Sequence, residues 1–400
     1  MSESVALVAI ALPRPAAARA IVAAWEAAEA VLPLDPATPA PELAATLAAA
    51  RPTHLLDADG RRRLPGGQPV EAGVAAVVAT SGTGGAPKAV ELRAGAIRWS
   101  ALASSRALDA GAGDRWLCCL PPRGVAGLAV LARAWHTGLP VEVHDRFDPG
   151  AVAEAAGRAT LVSLVPAMLR RLLAAGDQAA RFRRVLLGGG PIPSDLAAEA
   201  TARGVTLVRT YGLTETFGGI VHDGHPLAGV DLVVDPEGQI LARGPMLFRR
   251  YRGDPERTAA ALRDGWLWTG DLGRLGPGGR LTVLGRADDL VISGGVNVHP
   301  EEVEAVLAGH PGVAEAAVAG RPDPEWGQRV AAFVVPNDPA SPPTLDELRA
   351  FARERLAAAK APRELVLVPV LPRSPSGKLL RRLLPDGEAH VDAGLGRDLL

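Results

Sequence analysis

Apolar positions in this chain fall into two kinds of run that alternate over most of its length. "AAARAIVAAWEAAEAVL" and "ELAATLAAARP" carry apolar residues at helical spacing, and Pro52 stops the second. "GVAAVVATSG" is a continuous apolar run that opens into a loop, the pattern of a strand buried on both faces. From there to about Gly229 the two patterns take turns. "DRWLCCLPP" precedes "GLAVLARAWHTG", "PVEVHD" precedes "PGAVAEAAGRA", and "TLVSLVP" precedes "AMLRRLLAAG". "RRVLLGGG" precedes "SDLAAEATARG", and "VTLVRTYG" closes the series. That order predicts an α/β fold with parallel strands joined through helices.

The pattern changes after Gly229. "VDLVVDPEGQILARGP" predicts a hairpin turning at Pro-Glu-Gly, and "GWLWTGDLGRLGPGGRLTVLGR" predicts further antiparallel strand. A helix is expected from Pro300, with Glu301 and Glu302 in its first turn and Val303, Val306 and Leu307 on its buried face. "AEAAVAG", "RVAAFVVP", the helical "LDELRAFARERLAAAK" and "RELVLVPVLP" complete a small α+β unit. The expected organisation is a large N-terminal α/β domain of layered sheets and helices (1–287) and a small α+β C-terminal domain (288–400). The closing "PDGEAHVDAGLGRDLL" carries no motif.

Composition narrows the function classes. Hydrophobic residues make up 48% of 400, enough for a sizeable core. Lys and Arg (43) balance Asp and Glu (44), so no basic excess points to nucleic acid. No run reaches membrane-spanning length without charge or proline, and the N-terminus lacks the basic start of a signal peptide. Cys118 and Cys119 are adjacent in an apolar run, which matches neither CxxC nor zinc spacing and reads as two buried thiols. The expected location is the cytoplasm.

The clearest chemical feature is "VVATSGTGGAPKAVEL", Val77 to Leu92. Counted from Gly82 against G-x-x-x-x-G-K-[ST], Lys88 fits, but Pro87 and Ala89 occupy the second glycine and hydroxyl positions. "KAVEL" also alternates like a strand, so the segment reads as strand–turn–strand. Glycine amides and the hydroxyls of Thr80, Ser81 and Thr83 suit an anion, yet a plain glycine hairpin fits these residues equally well. There is no G-x-G-x-x-G, G-x-S-x-G or H-E-x-x-H.

Four later segments change the balance: "RTYGLTETFGG" (Arg209 to Gly219), "WTGDLG" (Trp268 to Gly273), "VLGRADDLVISGG" (Val283 to Gly295) and "PRSPSGKLLRR" (Pro372 to Arg382). Together with the loop, and in this order, they resemble the adenylate-forming superfamily of acyl- and aryl-CoA ligases, luciferases and adenylation domains. The resemblance runs from about Leu34 to Leu383. It implies ATP, Mg²⁺ and CoA as co-substrates and cofactor, and a small carboxylic acid as substrate. It implies that Thr80, Ser81, Gly82, Thr83, Gly84, Gly85 and Lys88 hold the β- and γ-phosphates. Gly188, Gly189 and Gly190 would flank adenine, Tyr211 would stack on it, Gly212 would belong to the same nucleotide site, and Asp271 and Arg286 would meet the ribose. Thr214 would contact phosphate and Glu215 would ligate Mg²⁺, a hard cation that prefers oxygen. Lys378 would be the catalytic lysine, a cation bridging the carboxylate and the α-phosphate. Asp288 would be the hinge of a mobile small domain, and Gly294 and Gly295 would line a tunnel for the CoA thiol.

Among compact members, "VAGLAVLARAWHTGLPVEV", "SLVPAMLRRLL", "GGIVHDGHPLAGV" and "APRELVLVPVLPRSPSGK" are most similar to the family of o-succinylbenzoate–CoA ligases of menaquinone biosynthesis. Two positions depart. Gly84 stands where the superfamily has a second threonine, and Gly124 where it has histidine or another aromatic gating the acyl pocket. Arg123, Gly124, Gly218 and Gly219 are the candidate acyl-pocket residues, with Arg123 suited to a second substrate carboxylate. A ligase for another aromatic or aliphatic acid, loading CoA or a carrier protein, is the first alternative. A non-catalytic nucleotide-binding relative, permitted by Gly84 and Gly124, is the second.

Overall fold

A computed structural model describes residues 3–80, 87–373 and 379–385, and structural statements below concern these residues. Two seven-stranded sheets form the body. One has the order Arg250–Tyr251, Lys88–Arg93, Val74–Thr80, Ala30–Pro33, Leu7–Ile10, His54–Asp57, Gly60–Arg63. The other runs Val141–Val143, Trp116–Cys118, Leu161–Leu164, Arg184–Leu187, Leu207–Leu213, Gly218–His222, His225–Pro226. Its first five strands are parallel, as the helix–strand alternation requires.

The helices Arg14–Glu26, Ala94–Ala107 and Val125–Thr137 lie between these sheets and supply the largest core. Strand side chains alternate between two cores. Trp116 and Cys118 enter the central one, while Leu117 and Cys119 pack outward with helices Pro149–Ala155, Pro166–Ala174 and Ser194–Ala202. Covering both faces is why the strands read as unbroken apolar runs. Both cysteines are free and buried, and burial pushes each thiol up to about 12.

A five-stranded sheet follows, with the predicted hairpin Asp231–Val234/Gln239–Arg243 and the pair Trp266–Leu275/Leu281–Arg286. The last sheet is built from Val291–Ser293, Val296–Val298, Val313–Asp323, Gly327–Pro336 and Glu364–Leu367. The helix Pro300–Leu307 packs on it through Val303 and Leu307.

Two helices are shorter than their sequence periodicity suggests. The first ends at Glu26, Ala28 adopts φ 55°, and Ala30–Pro33 becomes a fully buried central strand. Alanine-rich periodicity thus yields to the sheet position that Val31 and Leu32 fill. The second ends at Arg353; the chain then continues to a single turn at Ala358–Lys360, where Lys360 Nζ reaches Glu302 Oε2 at 2.5 Å.

Candidate functional site

The strand Leu207–Leu213 leaves the parallel sheet through one turn, Thr214–Thr216, and returns antiparallel as Gly218–His222. Thr216 Oγ1 fixes the turn by accepting from Leu213 N at 2.9 Å and donating to Gly218 O at 2.7 Å. The reversal is tight. A Cβ on Gly212 would stand 1.9 Å from Gly218 O, so only glycine fits there. Gly188–Gly190 follow the end of the neighbouring strand, and a Cβ on Gly188 would meet Thr210 Cγ2 at 2.6 Å. The turn therefore presents Tyr211, Thr214 and Glu215 at the carboxyl end of the sheet, where open α/β sheets place their ligands.

Three predicted residues join in one network. The Tyr211 hydroxyl donates to Asp271 Oδ2 at 2.8 Å, and Arg286 Nη1 donates to Asp271 Oδ1 at 2.8 Å and to Thr269 O at 3.0 Å. Asp271 and Arg286 face each other across paired strands, so the ion pair is built into the register. Burial raises the Tyr211 phenol's proton affinity and the Asp271 charge adds to this, keeping the hydroxyl a donor. Burial works against the Arg286 charge, but Asp271, Asp288 and Asp289 together outweigh it and the net shift is upward. Exposed Asp288 lies 3.8 Å from Arg286 Nη2.

A second group forms around Tyr251, which the sequence analysis did not single out. Its hydroxyl donates to Glu215 Oε1 at 2.7 Å. Lys88 Nζ lies 5.5 Å from the centre of the same ring. Burial lowers the Lys88 proton affinity, and the Glu215 charge opposes that shift. Tyr251 is clamped on both sides. Arg250 Nε and Arg252 Nη1 each donate at 2.8 Å to Glu91, which is wholly buried on the strand that carries Lys88. Glu215 belongs to no cluster of three or more His, Cys, Asp and Glu able to hold a metal among the described residues. One carboxylate with a free oxygen suits Mg²⁺, which keeps waters and takes substrate phosphate oxygens as its other ligands.

Thr80 pairs with Lys88 across the hairpin. Ser81, Gly82, Thr83, Gly84 and Gly85 between them, and Lys378, lie outside the described residues. Gly294 and Gly295 have φ 58° and 77° in the turn between two strands of the last sheet, where Gly294 N donates to Trp326 O at 2.9 Å. Further on, Arg381 donates to Asp289 Oδ2 at 3.0 Å and Glu304 Oε1 at 2.8 Å, and lies 3.1 Å from Glu301 Oε1.

Gly124 caps the helix Val125–Thr137, and Gly218, at φ 90°, abuts Ala129 of that helix. Arg123 has an anionic neighbour of its own, with Nε 3.6 Å from Asp35 Oδ2. A different arginine is left without one. Arg133, one turn beyond Ala129, is 5% exposed among apolar neighbours and has no carboxylate partner among the described residues. Nη2 donates to Ser163 Oγ at 3.0 Å, Nη1 reaches Ser104 Oγ at 3.4 Å, and Nε is buried without a partner. The guanidinium lies 4.6 Å from the Trp116 ring centre, and burial lowers its pKa to about 10. The sequence held one signal for it: a lone cation in the apolar helix "GLAVLARAW".

Comparison with known proteins agrees with this geometry. Residues 64–252 match the AMP-binding enzyme family, and residues 302–378 match the AMP-binding enzyme C-terminal domain. The chain belongs to the AMP-binding enzyme family. It is 44% identical over 330 residues to a probable 2-succinylbenzoate–CoA ligase of Mycobacterium tuberculosis, covering 80% of this chain and 85% of that one. The o-succinylbenzoate coenzyme A synthetase of Bacillus subtilis, solved with its acyl-adenylate intermediate, superposes with a TM-score of 0.86 at 31% identity, covering 96% and 88%. The same enzyme in complex with ATP and magnesium gives 0.85 at 30% identity, covering 96% and 90%. No helix among the described residues is long and apolar enough to cross a membrane.

Proposed function

We propose that this chain is an ATP- and Mg²⁺-dependent acid–CoA ligase that works through an acyl-adenylate, with 2-succinylbenzoate as its acid. The observation that carries the choice of acid is Arg133. A buried guanidinium with only two hydroxyl acceptors is costly, and a second substrate carboxylate would repay that cost. A monocarboxylic acid would leave the charge unpaired. The names of the relatives point to the same diacid.

In the first half-reaction a substrate carboxylate oxygen attacks the α-phosphorus of ATP, and pyrophosphate leaves. The protein's part is positioning and charge neutralisation. Asp271 and Arg286 meet the ribose, Tyr211 and Gly188–Gly190 frame the adenine, and Lys88 serves the outgoing phosphates. Glu215 holds Mg²⁺, with Thr214 beside it; when bound, the ion neutralises phosphate charge. Lys378 supplies a cation at the reacting oxygens. In the second half-reaction the CoA thiol sulfur attacks the acyl carbonyl and AMP leaves, with Gly294 and Gly295 lining its approach.

Residues 1–287 and 288–400 are read as two domains hinged at Asp288. Supporting this, the core of Val291, Val303, Val318 and Leu348 includes no buried residue before Val291. We place the reaction in the cytoplasm, where buried free thiols persist. The test is pyrophosphate release from ATP and Mg²⁺ over a panel of acids, followed by thioester formation with CoA or a phosphopantetheinyl carrier. Preference for 2-succinylbenzoate and CoA is expected. Release with some other acid and none with this one would reject the reading.

A further inference from the structure

The structure holds buried polar groups to which no role has yet been given. His222 is 8% exposed, and both ring nitrogens are buried without a hydrogen-bond partner. Across the antiparallel pair it stands directly opposite Thr210, whose Oγ1 is also buried and unpartnered. Paired positions share a face of the sheet, so the two orphans belong to one place. That place borders Gly219. A Cβ there would stand 2.0 Å from Thr210 Oγ1 and 3.6 Å from His222 Nε2. The Arg133 charge acts on the His222 ring, adding to burial in lowering its pKa.

Two unpartnered polar side chains beside one glycine are hard to explain by packing. Buried polar groups left unpaired are costly, and natural cores satisfy nearly all of them. Two apolar side chains would fill the same volume without that cost. The arrangement makes sense if an occupant brings the missing acceptors. We infer that His222, with Thr210, completes the recognition of the substrate's second carboxylate that Arg133 begins, and so determines selectivity for a diacid. This rests on the diacid reading above.

The chemistry favours hydrogen bonding over a second charge. Burial, reinforced by the Arg133 charge, lowers the His222 pKa to about 4, so the ring is neutral near pH 7. A neutral imidazole donates from one nitrogen and accepts at the other. It can donate to one carboxylate oxygen while the Thr210 hydroxyl, unbonded to the ring, donates as well. A site of this kind discriminates strongly, because an analogue without the carboxylate leaves every donor unmet. Glycine at 219 has a physical reason: even a Cβ there would collide with the Thr210 hydroxyl and displace it from its place beside His222.

The experiment compares 2-succinylbenzoate with 4-oxo-4-phenylbutanoate, which lacks the ring carboxylate, in wild type, His222→Phe and His222→Gln. Wild type should favour the diacid in kcat/KM; if it does not, the diacid reading itself fails, independently of the variants. Given that preference, His222→Phe should shrink the diacid-to-monoacid ratio roughly tenfold through KM, and His222→Gln, which keeps a donor, should restore most of it. Melting temperature reports on folding of each variant. An unchanged ratio, or an equal loss on both acids, would overturn the assignment.

Discussion

The Tyr251 hydroxyl donates a 2.7 Å hydrogen bond to the Glu215 carboxylate, while Lys88 lies over the same ring. One aromatic side chain thus orients the proposed metal ligand and supports the proposed phosphate lysine. Hydrogen bonds to charged groups contribute about 1.5–3 kcal/mol. Tyr251→Phe removes only the hydroxyl, so it should raise the Mg²⁺ concentration needed for half-maximal pyrophosphate release by about tenfold or more. Calorimetric titration with Mg·ATP should show the same weakening. Unaltered metal dependence would mean Glu215 needs no such support.

Asp271 accepts from Tyr211 on one oxygen and from Arg286 on the other. Asp271→Asn keeps the shape but removes the nearer and more buried counter-charge of Arg286, leaving the exposed Asp288 at 3.8 Å. AMP affinity should fall by about tenfold to a hundredfold, measured by calorimetry. Wild-type affinity in this variant would remove Asp271 from the nucleotide site.

Arg133→Met separates stability from function. Replacing a buried, uncompensated cation by an apolar side chain of similar volume is commonly neutral or stabilising. The variant should therefore melt no lower than wild type, while KM for 2-succinylbenzoate rises about a hundredfold. A lower melting temperature with normal KM would make Arg133 a structural residue.

Asp114 gives a pH dependence of known sign. Burial alone would raise its pKa, but bonds from Arg183, the Gly111 amide and Thr160 dominate and lower it to about 2. With an ordinary value of 3.8, the group stabilises the fold fully above about pH 4. That contribution, about 2 kcal/mol, is lost as the pH falls through about 2. Asp114→Asn should melt lower than wild type at pH 7, and the gap should narrow on acidification. A pH-independent gap would contradict the linkage.

Lys378→Ala should nearly abolish acyl-adenylate formation yet spare thioester formation from preformed acyl-adenylate. Equal loss in both half-reactions would refute its assigned role.

Much of this was legible in the sequence, for identifiable reasons. Strands buried on both faces announce themselves as apolar runs, so the parallel sheet could be read directly from "TLVSLVP" and "RRVLLGGG". Tyr211, Asp271 and Arg286 sat in motifs, although only the fold shows them bonded. What could not be read were residues whose meaning depends on distant partners. Tyr251 looks like any tyrosine until Glu215 is placed beside it, 36 positions away. His222 matters because of what it lacks, and an unpaired nitrogen has no sequence signature. Nothing in the sequence says that Arg123 lies 3.6 Å from Asp35 while Arg133 has no such neighbour among the described residues, because that is a fact of packing.

Arg381 has a mechanical consequence. It ties the segment just past Lys378 to Asp289, beside the proposed pivot, and to Glu301 and Glu304 on the helix Pro300–Leu307. The two ends of the small unit are thereby laced together. A turn of the backbone at Asp288 would be transmitted to Leu379–Pro385 with little slack, as a crank moves a rigid arm.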